Sequence, residues 1–508
     1  MGEYVVAQET TPLQLESLDR KIRAAYTFTC NFLNTASIPC SAKSTKKPKT
    51  GRRPGLAPAD VRLRNFVLQF ERCQNPYWTK TVKRNHFIFG GALLALLLAG
   101  WLLTTDSVWV WPVRNTLQYH LLVWLNGPPT PPNPEPTGVL AGVVTNLEHR
   151  PIGGARVLVA HRDGTTFSAR TGPDGQYRLE VPPGAVRPVA GAPGHRSVQA
   201  GNWGGFTVRP GATTKANIAL PPLQPPAVTP GTDLRLSAPE TVNCSVPFES
   251  TGVRRVVNFN SGGQPNQPIF YYTPQSAAES DSLPLLLAIY PGPADSWECA
   301  SIPLAQAGYA VLSAGPAYTF DLESDLDELE RLLNFARAGN FPGTDGERVG
   351  LLGGSYSTVH VQRMLQRNPK NANAALLLGP PTDLFDMRRR LENGSYIPPF
   401  GLDKALVALG LPDEVPLRYW DYSGAYHARP DFPPQLILHS RHDEVVPYQQ
   451  SQLLADNLEE VGAPYELHFF DGASHYLMAE GGGAQQVYDI ALEFLARQLK
   501  TKGSTSRE

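Results

Sequence analysis

The chain reads as an α/β protein with a mostly parallel sheet and flanking helices, preceded by a small all-β sandwich and one N-terminal transmembrane helix. Three observations carry that class. From about residue 250, short apolar runs bounded by turn residues (283–290, 310–313, 349–352, 374–378 and 435–439) alternate with stretches of helical periodicity. Such runs are what parallel strands buried on both faces look like. Between 138 and 220, strand-length runs alternate with turn signals at short intervals and no helical period intervenes. Residues 87–103 are uncharged and apolar, about the minimum length that spans a hydrocarbon core.

Taken in order, residues 1–85 form a basic tail with 15 Lys and Arg against 6 Asp and Glu, although the whole chain carries a net charge of −1. The densest part, 43–53, is polar and cationic with almost no apolar residues, so it reads as a solvated, disordered cytoplasmic segment rather than a nucleic-acid binder. The apolar helix is bounded at 86–104. Lys80, Lys83 and Arg84 precede it, and only Arg114 follows in a comparable window. The positive-inside rule therefore leaves the N-terminus in the cytoplasm and places everything downstream outside, in a single-pass cell-membrane protein. Trp101, Trp109, Trp111 and Trp124 read as an interfacial aromatic cluster. Residues 105–137 are a juxtamembrane and proline-rich linker, in which 127–137 is an extended spacer.

The sandwich is bounded at 138–220, with strands expected at 139–144, 155–159, 176–181 and 215–220. A linker, 221–249, leads to a catalytic domain at 250–500 and a short tail at 501–508. Within that domain, 321–338 is an amphipathic helix with Leu322, Leu326, Leu329, Leu332, Leu333 and Phe335 at helical spacing. Five cysteines are too few for a disulfide scaffold, and neither Cys-x-x-Cys nor His-Glu-x-x-His spacing occurs; no metal and no cofactor is implied. Cys244 and Cys299 lie beyond the apolar helix and are expected to pair if that side is oxidising.

The chemistry centres on Gly353-Gly354-Ser355-Tyr356-Ser357, which follows the apolar run 349–352 and precedes a helical stretch. A strand, a tight turn of small residues and a helix place a serine hydroxyl at the apex of a nucleophile elbow. Serine is a poor nucleophile at neutral pH and needs a base, which in turn needs an acid to fix its tautomer. Asp443 follows the strand 435–439, with Glu444 beside it as an alternative acid. His475 follows the next strand, 466–470, in Asp471-Gly472-Ala473-Ser474-His475. Both loops lie at carboxyl ends of strands, where sites of open α/β sheets form. The order Ser355, Asp443, His475 is that of the α/β-hydrolases.

Two resemblances extend this reading. Arg150-Pro151-Ile152-Gly153-Gly154-Ala155-Arg156-Val157, Asp174-Gly175-Gln176-Tyr177 and Val181-Pro182-Pro183-Gly184 resemble the carboxypeptidase regulatory-like domain, a transthyretin-like sandwich without catalytic residues. Gly353-Gly354-Ser355-Tyr356, His439-Ser440-Arg441-His442-Asp443-Glu444-Val445-Val446-Pro447 with Tyr448-Gln449-Gln450-Ser451, His475, and Tyr290-Pro291-Gly292-Pro293 resemble the catalytic domain of the prolyl oligopeptidase family, with the α/β-hydrolase fold. That resemblance implies an oxyanion hole made by the Tyr290 hydroxyl and the Tyr356 backbone N–H.

The chain departs from the family at Ser357, where glycine is usual, and in having no set of propeller-length repeats. Peptidase specificity therefore does not carry over. A segment within 386–430, with Arg388-Arg389-Arg390, Tyr396-Ile397-Pro398-Pro399-Phe400 and Tyr419-Trp420, interrupts the strand rhythm and reads as a lid. Tyr396, Tyr419 and Trp420 are its candidate substrate-pocket residues. The expected activity is serine hydrolysis of ester or short peptide substrates through an acyl-enzyme. The rival is a cell-surface binding module on an inactive hydrolase scaffold, against which the presence of all three triad residue types argues.

Overall fold

Residues 283–289 offer six consecutive fully or nearly buried positions after Leu283, and a strand so apolar on both faces is stable only inside a sheet covered by helices on each side. The computed structural model builds the domain around it. The structure describes residues 93, 94, 97, 98, 100, 101, 110–201, 204–224, 234–258, 268–315, 322–399, 401–477 and 483–500, all within one compact unit, Ala92–Glu508.

The main sheet has ten strands: β1 (Arg235–Leu236), β2 (Glu240–Cys244), β3 (Ser250–Asn258), β4 (Ile269–Thr273), β5 (Leu283–Ile289), β6 (Ala310–Ala314), β7 (Thr344–Gly354), β8 (Ala374–Leu378), β9 (Gln435–Ser440) and β10 (Tyr465–Phe470). Their order across the sheet is β1-β3-β4-β6-β5-β7-β8-β9-β10, with β2 also paired to β3. From β6 to β10 every pairing is parallel, and the β3–β4 and β4–β6 pairings are antiparallel. This is the α/β-hydrolase arrangement, and it brings the ends of β7, β9 and β10 to one edge. The expected linker 221–249 is only partly one, because β1 and β2 already belong to the sheet. Cys244 on β2 forms a disulfide with Cys299.

Helices α1 (Trp111–Asn126), α2 (Glu298–Gln306), α3 (Leu322–Arg337), α4 (Thr358–Arg367), α5 (Leu384–Glu392), α6 (Leu402–Leu409), α7 (Pro416–Asp421), α8 (Gln449–Val461) and α9 (Ala484–Leu495) complete the domain. On α3 the expected apolar face, Leu322, Leu326, Leu329, Leu332, Leu333 and Phe335, is buried against the sheet. Helices α5 to α7 constitute the insert between β8 and β9. Two apolar clusters, one on each face of the sheet, form the core.

The sandwich has its own core of Leu140, Val144, Val157, Val159, Tyr177, Leu179, Val181 and neighbours. Strands Gly138–Asn146, Arg156–Ala160 and Gln176–Val181 lie where the apolar runs predict them. The run 215–220 is split in two, Thr213–Lys215 and Ile218–Leu220, because the Ala216 carbonyl turns to accept the Tyr177 hydroxyl at 2.7 Å. The sandwich docks on the insert and on α8: Arg156 Nη2 donates to Asn457 Oδ1 at 2.7 Å, and Arg170 pairs with Glu460 at 2.6 Å.

Most of the segment expected to cross the membrane, and all of 1–85 and 501–508, lie outside the described residues. Leu93, Leu94, Leu97, Leu98, Gly100 and Trp101 are helical; among the described residues no helix is long and apolar enough to cross a membrane. The stretch read as a juxtamembrane linker contains a docked helix, α1. Trp111, expected at a membrane interface, is buried beneath the Arg418 guanidinium at 4.0 Å. Its neighbour Trp124 is 80 % exposed, and Trp109 is not among the described residues.

Candidate active site

Ser355 follows directly on β7 and has φ +53°. A left-handed conformation is unfavourable for a residue with a Cβ and occurs where the surrounding structure enforces it, commonly at functional sites. The enforcement is visible on both sides. A Cβ on Gly353 would come within 2.9 Å of Val361 Cγ2 and 3.0 Å of Thr358 Cα, so glycine lets α4 pack directly against the strand. Ser357, which replaces the usual glycine, is fully buried; its hydroxyl donates to Ile289 O at 2.5 Å and accepts from Gly354 N at 3.1 Å. The serine thus ties the elbow to the end of β5 instead of loosening it.

Asp443 and His475 meet beside the elbow. His475 Nδ1 donates to Asp443 Oδ2 at 2.7 Å, which leaves Nε2 as the proton acceptor of the ring. Asp443 Oδ1 accepts from the backbone N–H groups of Val445 (2.8 Å) and Val446 (2.7 Å). Burial alone would raise the Asp443 pKa, but the hydrogen bonds and charges of His439 and His475 outweigh it and hold the carboxyl far below its ordinary value. Glu444 is not the partner of the imidazole; its carboxylate accepts from the His475 backbone N–H at 3.2 Å.

Strand register brings the pair to the serine. The last β7–β8 partners are Gly354 and Leu378, so Ser355 and Gly379 each follow directly on the end of one of two neighbouring parallel strands. Gly379 has φ +54°, and a Cβ there would lie 3.3 Å from both Asp443 Oδ2 and His475 Cε1. The imidazole therefore packs against Gly379, at the strand end that neighbours the elbow.

Two residues of this constellation are given no role by the sequence. Gly379 is one, signalled only by its position between a buried strand and Pro380-Pro381. The other is His439, fully buried, whose Nε2 lies 3.0 Å from Asp443 Oδ2 and 2.9 Å from Val446 O, while Nδ1 lies 2.6 Å from Ser451 Oγ. Both Nε2 partners are pure acceptors, so Nε2 carries the proton and Nδ1 accepts from Ser451. Asp443 thus receives four hydrogen bonds and is fully satisfied as a carboxylate.

Tyr290 lies elsewhere than expected. Its hydroxyl is buried in the core and bonded to Ser301 Oγ on α2 at 2.9 Å, and its ring stacks on Trp297 at 5.4 Å. Burial pushes its pKa well up. A side chain so held does not present a donor to an oxyanion at Ser355. Tyr356 sits at the elbow with its ring edge-on to His360 at 5.3 Å.

Of the three expected pocket residues, only Tyr396 approaches the site: its hydroxyl donates to Val445 O, and its pKa is raised first by burial and then by the charge of Asp443. Tyr419 is fully buried, with its hydroxyl 2.8 Å from Gly410 O. Trp420 is packed in the seam with the sandwich. Both are structural because the insert folds as a helical layer whose large aromatics fill its own interior. The arginines are likewise engaged within it: Arg388 is fully buried against Glu392 at 2.7 Å, and Arg389 and Arg390 pair with Asp386. Phe400 lies outside the described residues. Among the described residues no group of three or more His, Cys, Asp or Glu side chains is arranged to hold a metal ion.

Solved structures with a related chain path include esterase 2 of Thermogutta terrifontis phosphonylated by sarin, with 18% identity over 45% of this chain and 89% of that one and a TM-score of 0.37. Another is an acetyl ester-xyloside bifunctional hydrolase of Caldicellulosiruptor lactoaceticus, with 18% identity over 47% and 90% and a TM-score of 0.38. Likeness at that level bears no argument about activity. No curated protein matches the chain. Residues 139–221 match the carboxypeptidase regulatory-like domain, and residues 328–502 match the prolyl oligopeptidase family. The chain thus carries, in that order, a stretch similar to the carboxypeptidase regulatory-like domain and a stretch similar to the prolyl oligopeptidase family, the latter on an α/β-hydrolase fold.

Proposed function

We propose that the chain is a membrane-anchored, extracytoplasmic serine hydrolase that cleaves ester bonds, and short peptide bonds less readily, through an acyl-enzyme on Ser355. The observation that carries this reading is the 2.7 Å bond from His475 Nδ1 to Asp443 Oδ2 beside a serine held at φ +53°. His475 Nε2 takes the Ser355 proton as the hydroxyl oxygen attacks the carbonyl carbon. The resulting imidazolium, stabilised by Asp443, then gives that proton to the leaving group. Water repeats the sequence on the acyl-enzyme, restoring Ser355.

The Tyr356 backbone N–H is the first oxyanion donor. For the second we assign Gly292 in place of the Tyr290 hydroxyl. In Tyr290-Pro291-Gly292-Pro293 the Tyr290 N–H is already bonded to Ala314 O at 2.9 Å, and neither proline has an N–H to give. Gly292 is therefore the one donor in that turn able to serve.

Anchoring and orientation rest on the apolar segment 87–103 and on Lys80, Lys83 and Arg84 before it. The Cys244–Cys299 disulfide fits an oxidising compartment. The test is a fluorophosphonate probe on the intact protein. Covalent labelling at Ser355, lost in Ser355→Ala and strongly slowed in His475→Ala, is expected; labelling elsewhere, or undiminished turnover in Ser355→Ala, refutes the assignment. Protease added outside intact cells is expected to digest the hydrolase domain, and cleavage confined to the tail reverses the orientation.

A further inference from the structure

Helix α1 has two apolar faces, and the hydrolase domain uses one of them. On that side Trp111 is buried, Asn115 Nδ2 donates to the carbonyls of Ala408 (3.1 Å) and Leu409 (3.3 Å) at the end of α6, and Tyr119 reaches Glu392 at 3.3 Å. On the other, Val113, Leu117, Leu121, Trp124 and Leu125 are each more than half exposed, with Trp124 at 80 %. At 100° per residue these five fall within an arc of about 120°. Arg114 shares that arc in the first turn; from Leu117 onward the arc is apolar, a stripe rather than scattered exposure. Singly exposed apolar residues need no explanation; a stripe along a helix does.

The sequence just upstream says what covers it. Residues 87–103 are uncharged and apolar, and only seven residues separate Leu103 from Trp111. Seven residues fully extended span at most about 25 Å, roughly the length of the 16-residue helix itself. If 87–103 crosses the bilayer, α1 cannot leave the vicinity of the membrane surface. Leu93, Leu94, Leu97, Leu98 and Trp101, the large apolar residues described within that segment, are likewise more than half exposed. A tryptophan at one end of the α1 stripe suits a headgroup boundary, where an amphipathic ring is stable.

We propose that α1 lies in the outer interface of the bilayer, with Val113, Leu117, Leu121, Trp124 and Leu125 seated in the lipid and its opposite face holding the hydrolase domain. The inference rests on the anchored reading above and adds to it. A spanning segment alone would let the catalytic domain swing on a tether, whereas α1 fixes which side of that domain faces the membrane, because its contacts are with the insert.

The experiment uses the full chain in phosphatidylcholine–phosphatidylglycerol vesicles, with the photo-crosslinker p-benzoylphenylalanine placed at Leu94, Leu117, Leu121 or Arg178, the last on an outward sandwich strand. All four positions are exposed, so folding is not at stake. Lipid adducts at Leu117 and Leu121 comparable to those at Leu94, and roughly tenfold above those at Arg178, are expected for an interfacial helix. Lipid adducts at Leu94 without any at Leu117 and Leu121 leave the anchor standing and overturn the docked helix. Adducts to a second copy, or to residues 1–110 of the same chain, at Leu117 and Leu121 also overturn it. Absence of lipid adducts at all four positions refutes the anchor and the docking together.

Discussion

The indole N–H of Trp420 donates to Ser197 Oγ at 2.8 Å across the seam between the insert and the sandwich. The same ring stacks on Tyr426 at 5.4 Å and sits where a Cβ on Gly191 would come within 2.9 Å of it. Trp420 is therefore a structural plug between two domains and has no route to the cleft. Trp420→Ala is expected to cost about 3–5 kcal/mol, the usual range for truncating a buried large aromatic. It should expose the seam to limited proteolysis and leave the ranking of acyl chain lengths unchanged. A melting curve alongside a short ester series checks both; a shift in acyl preference without loss of stability would put Trp420 back in the pocket.

Gly379 gives a sharper test of the site. Its φ of +54° disfavours any side chain, and a Cβ there would press within 3.3 Å of Asp443 Oδ2 and His475 Cε1. Displacing the imidazole by a few tenths of an ångström should lower kcat by roughly tenfold or more while leaving KM near its original value, since misplacement of reacting groups is costly. Gly379→Ala with full kcat would show that Ser355 and His475 do not meet across this residue.

His439 should matter through Asp443. Removing a buried donor from a carboxylate leaves it partly unsatisfied, at a cost of about 1–3 kcal/mol or more for a charged group. His439→Ala is therefore expected to reduce both stability and kcat. His439→Gln, able to donate in its place, should recover part of each. Equal damage from both variants would mean that His439 contributes volume rather than a hydrogen bond.

How much of this was legible beforehand follows from range. The parallel strands could be read because burial on both faces writes continuous apolar runs, and the elbow because its turn and small residues are contiguous in sequence. The acid and the histidine each follow a strand whose end lies on one edge, so their convergence follows once the sheet is granted. Tyr290 could not be placed because its direction is set by Ser301 and Trp297 on a helix whose packing no local pattern specifies. Tyr419 and Trp420 announce only that something large is buried. That Trp420's partner is Ser197, 223 residues away, is a tertiary fact. The sandwich strands of two or three residues, such as Val198–Gln199 and Phe206–Val208, are too short to show a period.

Acid sensitivity should trace in part to His427. Its ring is buried between Gln366, which contacts Nδ1 at 2.7 Å, and Trp420 O, 2.9 Å from Nε2. Burial, and then the charge of Arg363, push its pKa down from 6.5 to about 3. A depressed histidine is neutral in the fold and protonates more readily when unfolded. Its contribution to stability is thus complete above about 6.5 and is lost as pH falls towards about 3. Asp383 and Asp421, pushed up from 3.8 to about 6 chiefly by burial, act oppositely, adding stability as pH falls through about 6. Comparing denaturant midpoints of the parent and His427→Gln between these limits isolates the histidine. The parent should lose stability relative to the variant as pH falls, and parallel profiles would remove His427 as a cause.

Substrate preference follows from what covers the cleft and from the leaving group. The insert read as a lid comprises α5 to α7 and their connections, and its Tyr396 hydroxyl reaches the Asp443 loop by donating to Val445 O. The sandwich docks on the insert and on α8. An activated ester releases a weakly basic oxygen that needs little proton transfer, so attack by Ser355 and stabilisation of the oxyanion suffice. An anilide or peptide must have its nitrogen protonated by His475 before the C–N bond breaks, which requires the leaving group to be held in line with Nε2. Extended binding surface is what supplies that alignment, and a short insert offers little of it. Nitrophenyl esters of short acids should therefore exceed aminoacyl and dipeptidyl anilides in kcat/KM on the full chain. Tyr396→Ala should change the preference among acyl groups more than the Trp420 variant does, since Tyr396 alone of the insert's expected pocket aromatics contacts the acid loop. Efficient anilide cleavage with negligible ester turnover would replace the esterase reading with a peptidase one.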